Sequence, residues 1–377
     1  FRRGENVTEE TRSRGVRGAL LVARTLHLSQ GEFDRSAMAL EVQQAASDGE
    51  RTQEWIKAQP DLLDALRKDA AGTELDLVAL LSQADALQRT DSFAEDARHY
   101  ANTLYNVMRG GLPIAEYQAP SPDGGTDPDE YRRAIEDLPL GFSRRHGDPS
   151  RPWNRFSIDV RHTDGTLKAA YEGNWRDIFQ NWEALGVSYP ELLPGFVTRF
   201  LNASTADGYN PYRVDSSKGL DWEVEDPDDP WSHIGYWGDH QIVYLTRLIE
   251  RWVERDPGAL ASLLGKPLFV HADVPYRILG FQALVKDPRN TVLFSHDVAE
   301  RVAAREAAGL GKDARLLHDA RGKLVRSTLE EKLLVPVLAK LSNFVTGAGV
   351  WMNTQRPEWN DANNALAGFG ASVVTTA

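Results

Sequence analysis

The 377-residue chain contains no cysteine. That removes disulfides, thiolate nucleophiles and cysteine-bound metals together, and it fits a reducing compartment. No apolar run approaches the ~18 residues that a membrane span requires. No basic segment followed by an apolar stretch reads as a secretory signal. A cytoplasmic protein with no membrane partner is therefore expected. Positive charge is also short, with 43 Lys and Arg against 55 Asp and Glu for a net charge of −12. This disfavours a polyanionic partner such as nucleic acid, while leaving room for a local pocket that takes one phosphate. The nine histidines show neither His-x-x-x-His nor His-Glu-x-x-His spacing, and no nucleophile elbow, Walker loop or dinucleotide fingerprint is present. No metal and no organic cofactor is expected. Fixed-period repeats and low-complexity tracts are absent as well.

What is present divides the chain by texture. Residues 1–113 read as amphipathic helices. The clearest has Ser92 as N-cap with Glu95 completing a capping box, an apolar stripe of Phe93, Ala97, Tyr100, Leu104 and Met108, and a stop at Gly110-Gly111. Residues 114–152 are broken by Pro120, Pro122, Gly124, Gly125, Pro128 and Pro149, and read as a loop or linker with one short helix around Glu130–Glu136. From 153 to 377 helices alternate with long polar loops, and all ten tryptophans except Trp55 lie there. A helix is predicted over Asp239–Arg255, with Ile242, Leu245, Leu248, Ile249, Trp252 and Val253 on one face and Asp256-Pro257-Gly258 as its stop. Another is predicted from a capping box at Ser327 and Glu330 through Leu333, Leu334, Leu338, Leu341 and Phe344; Pro336 kinks it or marks its real start. Strand-like pieces occur at Pro267–His271 and Thr291–Phe294 without regular alternation, so the fold class is mainly α.

Three loop-plus-helix segments carry the chemistry-bearing residues. The first runs from Tyr171 to Trp182 and contains Trp175, Arg176, Asp177 and Gln180, with Asn174 suited to cap a helix. The second, Pro230 to Gln241, contains Trp237 and Asp239, and the third, Gln355 to Asn364, contains Glu358, Trp359, Asn360 and Asp361. Each sets carboxylates beside tryptophan and amide side chains at a helix start. Taken singly, such a segment is more often a cap beside a core tryptophan. Together they suit a sugar, whose apolar faces stack on indole while its hydroxyl rim takes carboxylates, amides and arginine. Cleaving a glycosidic bond also needs a carboxylic acid for the leaving oxygen.

The triplet Trp359-Asn360-Asp361 resembles the Trp-Asn-Asp signature of cellobiose phosphorylases and their relatives, glycoside hydrolase family 94. Arg176-Asp177 through Gln180 is similar to that family's Arg-Asp-x-x-Gln-Asp segment, and Gly238-Asp239-His240 resembles a third motif before a barrel helix. These matches span Tyr171 to about Gly370. Asn181 stands where the family has Asp, and Glu358 precedes the triplet where a Gly-Asp pair is common.

The resemblance implies an (α/α) toroid of six helical hairpins, incomplete in this chain, with 153–377 supplying part of the catalytic barrel. It implies Asp361 as general acid, Trp359 as a wall of the site, and Arg176 and Asp177 as ligands of sugar hydroxyls. Gln180, Trp175, Trp237, Asp239, Asn360 and Glu358 complete the expected substrate contacts, with Glu358 a rival for the acid. The implied reaction is phosphorolysis with inversion of a β-glucoside or β-glucan oligosaccharide, with inorganic phosphate as co-substrate and an oligosaccharide as partner. An inverting hydrolase is the alternative, with Glu172, Asp177 or Asp239 as base; a non-catalytic sugar-binding or scaffold module is a third. A homodimer is compatible with the sequence. The family's phosphate-binding residues follow the triplet, yet no His, Arg or Lys stands between Asp361 and Ala377. This chain alone is therefore expected to show no phosphorolysis, and to leave an apolar helix face bare.

Overall fold

The computed structural model describes residues 25–34, 46–107, 109–122, 126–141, 168–210, 213–222, 242–287, 292–351 and 371–372, with isolated positions at 162, 164, 166, 224 and 228. Among these the chain is mainly helical, with eleven α-helices and only short antiparallel strands. No helix among them is long and apolar enough to cross a membrane.

The chain divides into two compact units, Phe1–Val78 and Ala79–Ala377. The first holds α1 (Ala46–Ala58) and most of α2 (Leu62–Gln83), and none of its described residues is buried. The second begins inside α2, where Leu80 and Leu81 are buried. Neither division expected from composition, after 113 or after 152, coincides with this one. The reason is visible in residues 114–141, which read as a linker but contribute Tyr117, Tyr131, Ile135, Leu138 and Leu140 to the main core. Proline there starts a helix instead of preventing one: Asp127 accepts from the backbone N–H groups of Asp129 and Glu130, Pro128 occupies the first turn, and α4 runs Pro128–Glu136.

At the centre of the second unit are α5 (Trp175–Ser188), α6 (Leu193–Asn202) and α7 (Ile242–Arg255). α5 buries Trp175, Ile178, Phe179, Trp182 and Leu185, the spacing of one helical face. Trp182 stacks on Phe196 of α6 at 4.5 Å between centroids, and Trp175 meets Phe200 edge-on at 4.7 Å. The indole N–H of Trp182 donates to the Gly110 carbonyl at 2.6 Å. A tight turn, Pro190–Leu192, returns the chain so that α6 runs back along α5. Trp252 and Arg255 at the end of α7 line one cleft with Pro190 and Glu191 just beyond α5, and Arg247 of α7 reaches Glu183 of α5 at 3.2 Å. The two helices are thus parallel and begin at the same end. Leu245, Leu248 and Trp252 are the buried stripe of α7, and Asp256-Pro257 stops it while capping α8 (Pro257–Leu263).

Two predicted helices face the opposite way from their apolar stripes. α3 (Phe93–Asn106) is capped by Ser92 as expected, yet Phe93 is 85% exposed and Leu104 faces solvent. Its inward face is polar: Asn102 donates to the Ala184 carbonyl at 3.2 Å and to the Ser188 hydroxyl at 3.1 Å, and Thr103 bonds the Tyr189 hydroxyl. Likewise α11 (Leu329–Ser342) is capped by Thr328, one residue later than predicted, and continues through Pro336. It buries Leu329, Lys332 and Pro336 and leaves Leu334, Leu338 and Leu341 exposed. Short strands complete the unit: β1 (Leu112–Pro113) pairs with β2 (Leu140–Gly141), β3 (Glu172–Asn174), β4 (Arg213–Asp215) and β5 (Gly219–Asp221) form one sheet, β6 (Phe269–Val270) pairs with β9 (Arg326–Ser327), and β7 (Tyr276–Ile278) pairs with β8 (Val292–Phe294), with α9 (Phe281–Lys286) and α10 (His296–Ala307) between β7 and β9. β6 and β8 lie within the two predicted strand segments.

Candidate functional site

The first motif segment leads from β3 directly into α5. The register of the sheet sets Asn174 opposite Arg213, and Arg213 opposite Asp221, so all three strands present one end where α5 begins. The β4–β5 turn is fixed from inside. Asp215 accepts from the Ser217 and Lys218 backbone N–H groups at 2.6 and 2.7 Å, and Gly219 adopts φ +87°, which favours glycine. Arg199 of α6 donates to the Asp215 and Gly219 carbonyls at 2.8 and 2.7 Å. At the other end Arg315 grips Asp221 at 2.7 Å and the Leu220 carbonyl at 2.8 Å, with its guanidinium 4.6 Å from the Trp222 ring centre. Burial works against the Asp221 charge, but Arg213, Arg315 and Lys218 outweigh it and hold its carboxyl below the ordinary range.

On this frame the candidate residues separate. Asn174 does occupy the N-cap position of α5, although its side chain makes no capping bond. Trp175 points inward: it is 1% exposed, enclosed by Phe179 and Phe200, and its indole serves the core where a substrate contact was expected. The physical reason is the helical period, which puts position 175 in line with 178, 179 and 182. Asp177 is half-buried and Gln180 exposed, on the outward side of α5. Asn181 is buried and donates from its side chain to the Asp177 carbonyl at 2.6 Å. Arg176 lies in the first turn of α5. Trp237, Asp239, Glu358, Trp359, Asn360 and Asp361 lie outside the described residues.

A buried ionic network close by went unread in the sequence. Glu136 of α4 accepts from Asn202 at 2.7 Å and lies 3.4 Å from both Arg132 and Arg199. Arg132 continues to Asp313 at 2.7 Å. Only the Arg132–Glu136 spacing within one helix could have hinted at it. A cleft of about 630 Å³ opens at the C-terminal ends of α5 and α7, lined by Tyr117, Pro190, Trp252 and Arg255, and none of the described candidate residues lines it. No protein-family model matches the chain, and no curated protein matches it.

Proposed function

We propose that the protein is an inverting glycoside phosphorylase acting on a β-glucoside or β-glucan oligosaccharide within a hairpin-toroid fold. Phosphate attacks the anomeric carbon while Asp361 protonates the departing oxygen, and Arg176 and Asp177 bind hydroxyls of the sugar ring that accepts phosphate. What supports the reading is the order of the motifs on the helices. The Arg176–Gln180 segment opens α5, the Trp237–Asp239 segment immediately precedes α7, and α5 and α7 start at one end of the layer. Asp177 and Gln180 face outward at that end, as hydroxyl ligands must. A single carboxylic acid suffices, because phosphate is already an anionic nucleophile.

Incubating the full-length protein with β-glucan oligosaccharides, with and without phosphate, tests the reading. Sugar 1-phosphate should appear only when phosphate is supplied. Free reducing sugar formed without phosphate would replace phosphorolysis by hydrolysis, and sugar binding with no turnover would make the protein a binding module.

A further inference from the structure

Lys332 is 1% exposed on the inward face of α11, and no carboxylate is ion-paired with it among the described residues. Its amine lies 2.9 Å from Nδ1 of His271 and donates to the Ser204 carbonyl at 3.3 Å. The other ring nitrogen of His271, Nε2, lies 2.6 Å from the Ser327 hydroxyl, and His271 and Ser327 are buried too. Two tautomers close these contacts around a neutral amine: Nζ donates to Nδ1 with the ring proton on Nε2 facing Ser327, or Nδ1–H donates to the amine lone pair and Ser327 donates to Nε2; an ammonium, which only donates, permits the first alone. A Ser-His pair with a carboxylate behind the ring would polarise the serine; an amine behind it cannot. The cluster is therefore a structural joint that ties α11 to the end of β6, to β9 and to the loop after α6.

Inside the protein, with no carboxylate ion-paired beside them among the described residues, every proton added to two touching basic groups costs desolvation, so the cluster is most stable with both neutral. Burial pushes the Lys332 amine down to about 7, with the Glu331 charge only partly opposing it. Burial, then the neighbouring Lys332, pushes His271 down to about 3, against a favourable backbone contact from Thr205. The charged groups on the surrounding elements are engaged elsewhere. Glu331 is exposed at the start of α11, and Asp207 on the loop after α6 takes the Thr205 hydroxyl at 2.6 Å. Asp273 beyond β6 pairs with Arg305 at 2.6 Å, and Arg326 on β9 pairs with Asp129 at 2.6 Å.

We propose that Lys332, His271 and Ser327 form a proton-sensitive latch: α11 is seated while the buried amine is neutral and loosens from β6 and the loop after α6 when that amine takes up a proton. This device is independent of the sugar reading. Loosening matters to the rest of the chain because α11 leads into β10 (Phe344–Val345) and β11 (Gly349–Trp351), which precede the Glu358–Asp361 segment.

Hydrogen exchange read by mass spectrometry, corrected for the intrinsic pH dependence of amide exchange, tests the latch. An amine ordinarily at 10.5 that titrates near 7 when seated favours opening about tenfold more at about pH 5.5 than at about pH 8. Peptides covering α11 should lose protection by that factor while α5 and α6 do not, and Lys332→Met should abolish the difference. Equal α11 protection at both pH values in the unsubstituted protein would overturn the proposal, whatever the variant does. So would a Lys332→Met or Lys332→Gln protein that keeps the tenfold response.

Discussion

Removing the charge of Glu136 should be one of the most damaging conservative changes in this chain. Glu136 is 7% exposed, and its carboxylate is the acid that Arg132 and Arg199 share, each at 3.4 Å. At an effective dielectric of about 20, a unit charge pair at that separation (3.4 Å) is worth roughly 5 kcal/mol before desolvation. Arg132 keeps Asp313 at 2.7 Å, so its loss is partial. Arg199 keeps the Asp215 and Gly219 carbonyls but no other ion-paired carboxylate among the described residues, so its guanidinium is left buried without its acid. Breaking one side of such a pair costs about 3–5 kcal/mol. Glu136→Gln preserves volume and can still accept from Asn202, so its cost should fall at about 2–4 kcal/mol, with Glu136→Ala at the upper end or beyond. Urea denaturation at neutral pH reads this as a lowered midpoint. The double variant Glu136→Gln/Arg199→Met should cost less than the sum of its singles, because no unpaired charge remains. A Glu136→Gln unfolding free energy within about 1 kcal/mol of the parent's, or strictly additive singles, would refute the reasoning.

Other consequences follow from the same physics. Asp361→Asn should lower turnover of the full-length enzyme by on the order of 10²–10⁴ with folding intact, and full activity there combined with its loss in Glu358→Gln would transfer the acid to Glu358. Arg176→Lys should fail to restore the function lost in Arg176→Ala, since an ammonium lacks the planar fork; kinetics equal to the parent would leave Arg176 a plain structural residue. A Cβ on Gly195 would meet the Ile135 carbonyl at 2.9 Å and the Tyr117 hydroxyl at 3.0 Å, whereas one on Gly186 meets the tip of Leu193 at 2.5 Å. Gly195→Ala should therefore destabilise by about 2–3 kcal/mol, because backbone stands in the way, while Gly186→Ala should cost less, since only the buried Leu193 side chain must shift and the helix gains from alanine; equal effects in thermal melts would contradict this. His271 titrates at about 3 when folded against an ordinary 6.5. The unfolded chain thus binds more protons in that window, so stability should rise with pH across it and rise less steeply in His271→Gln. Identical slopes for parent and variant would remove His271 from the account.

The sequence determined the local elements of this protein, because their causes are local. Ser92 caps α3, Asp127 with Pro128 starts α4, and Asp256 with Pro257 both stops α7 and begins α8. Caps, fixed proline dihedrals and residue periodicity act within one turn and need no partner. It also marked Asn174–Gln180 as a helix mouth, and the period of α5 was enough to have turned Trp175 inward. Only tertiary structure decided which face of an amphipathic helix is buried. α3 turns Asn102 and Thr103 inward because the end of α5 offers them a carbonyl and hydroxyls, and α11 buries Lys332 because His271 and the Ser204 carbonyl stand within hydrogen-bond reach of its amine. Tertiary structure alone also brought Glu136 to Arg199 and Arg315 to Asp221, across long stretches of chain. A buried polar group is stable only where its partner already stands, and nothing within one turn of sequence can supply that partner.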